Sequence, residues 1–198
     1  MEEVRDTMTD IIDLKELARR ESERTEWKEN VSDIDDVVAT LSAFANDHQN
    51  IGGGYVVCGV REEEDAHGFP MLVRTGLSAD RLKEVEGTVL TRCRERVSPP
   101  ITPMVEELAS DVPERRILVL TQVATRAMHS FRRGKEGTKH FVRVGRSTIV
   151  ARNGIFLELL ARKDAIEPWD RRPCSNATVR DIDLLALRDA FRRLNGLG

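Results

Sequence analysis

The sequence predicts an α+β domain, with a mixed sheet flanked by helices and a C-terminal helical appendage. Two short segments, 55–60 and 117–120, are apolar on both faces, which is typical of central strands. Between such segments lie amphipathic runs with helical spacing. A stretch with two prolines, 165–176, separates the last of these runs from the rest. The chain has 198 residues, which is enough for one sizeable domain with an appendage.

We divide the chain into a disordered arm (1–9), a domain (10–164), and a linker with a C-terminal helix (165–198). Within the first half, strand 23–29 is expected to place Glu26 and Lys28 on one face. The other expected elements, in order, are a helix at 10–20, a helix capped by Ser32 or Asp33 that runs to Asn46, a glycine turn at 52–54, strand 55–60, a turn-like acidic run at 61–67 and a short strand at 71–73.

The second half continues the alternation of helices and strands. Its expected elements are a helix opened by Ser78 or Asp80 that ends before Pro99, strands 104–109 and 116–123, a hairpin of 141–144 with 148–150, a helix at 154–163 capped by Asn153, and a helix at 179–194.

Composition limits the functional classes. The chain is 40% hydrophobic and 33% charged, with a formal net charge of -3, so only a local patch could favour a polyanion. Its three cysteines are odd in number and widely spaced, which indicates a reducing compartment. We find no signal peptide and no apolar run of the ~20 residues that a membrane span needs. We therefore expect a cytoplasmic protein with no membrane partner.

Carboxylates near one lysine form the first candidate site. Glu26 and Lys28 share a strand face, Glu21 precedes them, and an acidic run follows Val60. Oxygen ligands of this kind hold divalent cations, and Lys28 could then stabilise a developing charge on a phosphate. The alternative is a solvated surface pair, since most charged residues are exposed for solubility.

A basic segment forms the second candidate site, and its cations could contact phosphates. The candidates are Arg126, Arg132, Arg133, Lys135, Lys139, Arg143 and Arg146. The alternative is an ordinary basic hairpin that balances the acidic N-terminal half. The glycine run lacks the Lys-Ser/Thr of a phosphate loop, so no nucleotide cofactor is expected. The cysteines and histidines do not have zinc-ligand spacing.

Four motifs together resemble the Schlafen AlbA-like domain family. They are Glu21-Ser-x-x-x-Glu26-Trp-Lys28, Ser42-Ala-Phe-Ala-Asn46, Gly53-Gly-Tyr-Val-Val-Cys-Gly-Val60 and Phe141-Val-Arg-Val-Gly-Arg-Ser-Thr148. The resemblance covers roughly residues 14–162. Bacterial members of this family include divergent AAA-type proteins and transcriptional regulators.

The resemblance implies a nucleic-acid-binding module. In the Schlafen branch it implies a metal-dependent endoribonuclease that acts on structured RNA such as tRNA. The family's acids carry over to Glu21, Glu26 and a third acid, for which Glu62 is the best match and Glu63 and Asp65 are alternatives. These acids would hold Mg²⁺ or Mn²⁺.

We consider three hypotheses. The first is a DNA- or RNA-binding module of a regulator, which uses the basic segment for phosphates and the turn at Gly53 and Gly54 for close backbone approach. The second is the endoribonuclease, with Lys28 beside the acids. The third is a protein-interaction module that forms a homodimer through helix 179–194.

Overall fold

The structure is a computed structural model that describes residues 23–64, 67, 70–135, 137–163 and 184–194. The chain separates into two compact units, 1–165 and 166–198, and each is considered by itself. The predicted helix at 10–20 and two of the candidate acids, Glu21 and Asp65, lie outside the described residues.

In the described part of the first unit, strands and helices alternate along the chain. In order they are β1 (Thr25–Lys28), α1 (Ile34–Asn46), β2 (Gly53–Cys58), β3 (Arg61–Glu64), β4 (Pro70–Val73), α2 (Ala79–Glu95), β5 (Val97–Ser98), β6 (Met104–Ala109), β7 (Arg116–Val123), β8 (Ser130–Arg132), β9 (Thr138–Lys139), β10 (Phe141–Val144), β11 (Ser147–Val150) and α3 (Asn153–Arg162).

A four-stranded mixed sheet organises this unit. Its order is β1-β2-β7-β6, with β1 parallel to β2 and the other neighbours antiparallel. The α+β fold class and the mixed sheet are therefore confirmed. The strands predicted from two-sided apolarity, β2 and β7, are the two central strands, because only a strand that is covered on both faces can be apolar throughout. Smaller sheets pair β3 with β4, β10 with β11, and β5 with β8 and β9.

The two faces of the sheet contribute to different parts of the core. Val56 and Leu118 pack in the larger cluster with residues of α1 and α2, whereas Val57 and Val119 pack with Trp27 on the other face. Strand β1 follows the same alternation: Trp27 belongs to the second cluster, and Glu26 reaches Lys28 and β10. The predicted separation of Glu26 and Trp27 onto opposite faces is confirmed.

Helix α1 begins and ends where its side chains satisfy the backbone. Asp33 is the N-cap, and its Oδ1 accepts a hydrogen bond from Asp36 N at 3.3 Å. At the other end, Asp47 takes a left-handed conformation with φ 43°, and its N–H bonds to Ala43 O. The predicted cap at Ser32 or Asp33 is thus Asp33. By contrast, Asn153 is not the cap of α3, because the helix already begins at this residue and its N-cap is Arg152.

Four short strands were not predicted. The acidic run at 61–67 was expected to be a turn, but Arg61–Glu64 forms β3 and pairs with β4. The sequence carries little signal for this strand, because its side chains are charged and exposed and show little apolar alternation. Strands β5, β8 and β9 were also not expected, and at two or three residues each they are too short for a periodic signal.

The second unit is described only from 184 to 194, where helix α4 spans Leu184–Leu194. The helix lies within the predicted range of 179–194. Leu187 and Phe191 are one helical turn apart and are 45% and 57% exposed. Within the described ranges, no helix is long and apolar enough to cross a membrane.

Candidate nucleic-acid interface

The predicted carboxylate site centres on Glu26, whose two oxygens are both bound by cations. Glu26 Oε1 lies 2.8 Å from Lys28 Nζ, and Oε2 lies 2.6 Å from Arg143 Nη1. Lys28 Nζ also lies 2.8 Å from Asp36 Oδ2 on α1. Partial burial by itself lowers the pKa of Lys28, but its bonds to Asp36 and Glu26 outweigh burial and raise that pKa above its ordinary value. Lys28 is therefore a stable ammonium that joins β1 to α1.

These acids do not form a divalent-metal site among the described residues. Glu26 is 9% exposed, and a cation that ligated it would have to displace Lys28 or Arg143. Glu62 pairs with Arg146 at 3.4 Å, and Glu63 pairs with Arg61. Within the described ranges, no three residues of the metal-ligating types are grouped closely enough to hold an ion. The predicted Mg²⁺ or Mn²⁺ site stays a prediction because Glu21 lies outside those ranges.

The structure does bring two predicted acids to the same hairpin. Arg143 on β10 binds Glu26, and Arg146 in the turn before β11 binds Glu62. Strand β3 also begins beside the end of β1, because Lys28 O accepts hydrogen bonds from Gly59 N and Val60 N. Glu26 and Glu62 are thus both held by arginines, and these arginines are three residues apart.

Arg143 was predicted to contact phosphate, but the structure places it in the interior. The residue is 3% exposed, and its guanidinium lies 5.5 Å from the centre of the Phe44 ring. It also donates to Thr148 Oγ1 at 3.1 Å. A charge that is buried and paired in this way joins the β10–β11 hairpin to the sheet and is not accessible to a nucleic acid.

The motif glycines contact the protein itself. A Cβ on Gly53 would lie 2.2 Å from Gln122 O of β7, and φ at Gly53 is +99°. A Cβ on Gly54 would lie 2.4 Å from Cε1 of Phe44. The close backbone approach that we expected at a nucleic acid is therefore the approach of β2 to its own neighbours.

Asn46, the last residue of the second motif, has a structural role that the sequence did not indicate. Its buried amide donates to Phe141 O at 2.8 Å and to His129 O at 2.9 Å, and its Oδ1 accepts from His129 N at 2.7 Å. The side chain therefore ties the end of α1 to β8 and β10. Its bond to Phe141 O joins the second motif to the fourth, although the two are far apart in sequence.

The basic segment is divided between the two ends of α1. Arg133 binds the N-cap Asp33 at 2.6 Å, whereas Arg126 lines a cavity beside the C-cap Asp47. A 13-residue helix is about 20 Å long, so the two groups are separated by roughly that distance. The predicted single basic patch is thus two groups of cations.

Three of the predicted cations are available for contact. Arg126, Arg132 and Lys135 are exposed, and none of the three has an ion-pair partner among the described residues. Arg133 and Arg146 already have carboxylate partners, and Lys139 is partly buried. Two further cations, Arg162 and Lys163, lie beside Arg126, and the sequence did not identify them because they are more than 30 residues away along the chain.

Buried titratable groups contribute to the structure and not to nucleophilic chemistry. Burial raises the pKa of the Cys58 and Cys93 thiols to about 12, which keeps both protonated. His129 is 2% exposed, with its ring nitrogens 2.7 Å from Pro99 O and 2.6 Å from Thr125 Oγ1. Burial lowers the pKa of His129, and nearby Lys163 acts in the same direction.

Comparison with known proteins identifies relatives for most of the chain. The family described as "Schlafen, AlbA_2" matches residues 21–152. No curated protein matches the sequence. The chain is similar to the N-terminal domain of an ATP-dependent DNA helicase RecG-related protein from Nitrosomonas europaea, with 24% identity and a TM-score of 0.45 over 59% of this chain and 72% of that one. It is also similar to the DIP2311 protein from Corynebacterium diphtheriae, with 19% identity and a TM-score of 0.46 over 86% of this chain and 34% of that one.

Proposed function

This chain belongs to the Schlafen, AlbA_2 family, and from that premise we propose that it is a nucleic-acid-binding module. The family points to a nucleic-acid-related function, and the finer proposal is that exposed cations of the basic segment contact the phosphate backbone. The observation that carries the proposal is that Arg132 and Lys135 are exposed at the β8–β9 hairpin without a carboxylate partner in the described chain. When such a cation binds a phosphate, it releases a counterion from DNA or RNA, and no salt bridge within the protein has to be broken.

The β8–β9 hairpin is well suited to hold these cations in place. Its neighbour Arg133 binds Asp33, and Arg132 N donates to Arg96 O at 2.9 Å. Burial by itself raises the pKa of Asp33, but the bonds from Arg133 and from Asp36 N outweigh it and lower that pKa, so the anchoring carboxylate stays ionised at neutral pH. The hairpin is thus anchored beside the two exposed cations, and this reduces the conformational entropy that binding would cost.

The test is a binding titration with tRNA, single-stranded DNA and duplex DNA over a range of salt concentrations. For duplex DNA we expect R132A/K135A to weaken binding and to reduce the slope of log K against log salt by about 1.8, since each lost phosphate contact contributes about 0.9. The matched control is K83A/R94A, which removes two exposed cations from α2. Equal effects of the two double variants, or no binding by the wild type, would refute the proposal.

An endoribonuclease is the second candidate function. The observation that favours it is that a single hairpin holds both Glu26 and Glu62. The same titration, repeated with Mn²⁺ and with EDTA, separates the two functions. Metal-dependent cleavage of tRNA that is lost in E26Q while binding is retained would establish the nuclease. Binding without cleavage under both conditions leaves the recognition module.

A further inference from the structure

A cavity lies at the C-terminal end of α1, away from the β8–β9 hairpin. It has a volume of about 690 Å³. Three cations line it, together with one carboxylate, that of Asp47; the cations are Arg126, Arg162 and Lys163. The three cations come from two segments, since Arg126 follows β7 and the other two end α3. Positive charge in a cavity of this size favours an anionic ligand.

Lys163 is held in position at the cavity wall. Its ammonium donates to Ala45 O at 3.3 Å and to Thr125 O, which leaves one N–H that no described residue accepts. Burial lowers the pKa of Lys163, as expected for an ammonium whose partners are mainly carbonyls. A fixed cation with one unused donor can bind an anion with little loss of side-chain entropy.

The carboxylate in the cavity already accepts two hydrogen bonds from the backbone. Asp47 Oδ1 accepts from Ile51 N at 2.8 Å, and Oδ2 accepts from Gly52 N at 3.0 Å. Asp47 therefore serves mainly to close the turn after α1. It makes no close salt bridge to Lys163 in the described chain, although its charge raises the pKa of Lys163 and partly offsets the effect of burial. Arg162 pairs with Glu158 at 3.6 Å, but this is an exposed pair of the kind that contributes little.

Helix ends offer a simpler explanation for part of this charge. Two helices end here, α1 at Asp47 and α3 at Lys163, and their negative ends attract cations. This accounts for Lys163 and Arg162. It does not account for Arg126, which belongs to neither helix, is exposed and has no ion-pair partner among the described residues.

We propose that this cavity binds a phosphate group, with Arg126, Arg162 and Lys163 as its donors. The proposal rests on the proposed function for the source of the phosphate, which is either a phosphodiester within a strand or a terminal phosphate. Because the cavity and the β8–β9 hairpin are about one α1 length apart, ~20 Å, one nucleic acid would need about six nucleotides of rise to reach both.

Inorganic phosphate is the first probe, in an NMR titration of the backbone amides at constant ionic strength. We expect saturable shifts in segments 47–52 and 124–126, and a loss of affinity of at least about tenfold in K163M, which removes a charged hydrogen-bond donor. R126Q is the second variant because its side chain is exposed and its removal leaves the fold intact; it should also weaken binding. The R132A/K135A variant is the control and should retain the phosphate shifts.

Oligonucleotides of one sequence with and without a 5′-phosphate then identify the source. Tighter binding of the phosphorylated oligonucleotide, abolished by K163M, identifies a terminal phosphate, and equal binding that K163M still weakens identifies a phosphodiester. Absence of saturable shifts with phosphate, or shifts that K163M and R126Q both leave unchanged, overturns the proposal. A wrong proposed function would give a different result. Nucleic acid would then not bind, whereas phosphate would still shift the NMR signals of the backbone amides around the cavity.

Discussion

Replacing Arg143 with methionine tests whether the buried ion pair stabilises the fold. The change keeps much of the side-chain volume but removes the partner of Glu26 Oε2, which lies 2.6 Å away. Breaking a buried pair by removing one member typically costs 3–5 kcal/mol. Glu26 keeps Lys28 and is not fully buried, so we expect a loss of about 3 kcal/mol, at the lower end of that range. For a domain of this size, that corresponds to a fall in Tm of roughly 6–12 °C.

A double-mutant cycle separates the ion pair from the other contacts of Arg143. R143M also removes the hydrogen bond to Thr148 and the contact with Phe44, but these losses do not depend on Glu26. In E26Q/R143M no carboxylate charge is left unpaired, so the double variant should be less destabilised than the sum of the two single variants.

The assay is equilibrium unfolding in urea, followed by tryptophan fluorescence and far-UV circular dichroism. Coincident transitions would show that a two-state free energy is valid. A loss below about 1 kcal/mol in R143M, or simple additivity in the cycle, would refute the assignment of Arg143 to the interior.

Three further predictions test other features of the structure. G54A should destabilise the protein by about 1–3 kcal/mol because its Cβ would overlap the Phe44 ring. G87A lies in open space on α2 and should instead stabilise the protein by about 0.5–1 kcal/mol. Urea unfolding measures both changes, and equal effects would contradict the packing argument. Burial lowers the pKa of His129, so the unfolded chain binds more protons than the folded chain at acidic pH. The excess stability of the wild type over H129Q should therefore shrink as the pH falls through about 6.5, the pKa of an unfolded histidine, and a constant difference would exclude this effect. If α4 mediates a homodimer, L187E/F191E should lower the molar mass measured by light scattering, and a monomeric mass for wild type and variant alike would rule the dimer out.

The sequence predicted the elements whose burial is regular. Strand β7 has the predicted bounds, and the cap of α1 was one of two candidates, because two-sided apolarity and capping chemistry are local signals. The strands β8 and β9 could not be predicted in this way, since two or three residues contain no measurable period. Strand β8 pairs with β5, which is distant in sequence, and β9 pairs with β8.

The candidate site was less predictable because its contacts join distant parts of the chain. A local signal did exist for Arg143: in an alternating strand it shares a face with Phe141, which is 4% exposed. Its partner is Glu26, however, and a separation of more than 100 residues leaves no pattern that pairs the two. The same limit applies to Lys163, which reaches Ala45 O from the end of α3.

The motif residues and the exposed cations have different physical roles. Glu26, Phe44 and Arg143 contact one another or a shared neighbour in the interior, so their structural role alone accounts for them. Their presence therefore identifies the fold without establishing cleavage of RNA. The phosphate contacts that we propose involve instead exposed cations outside that assembly, such as Arg126 and Lys135. Because the two sets do not overlap, variants of the first should change the free energy of unfolding, and variants of the second should change the affinity for nucleic acid at unchanged stability.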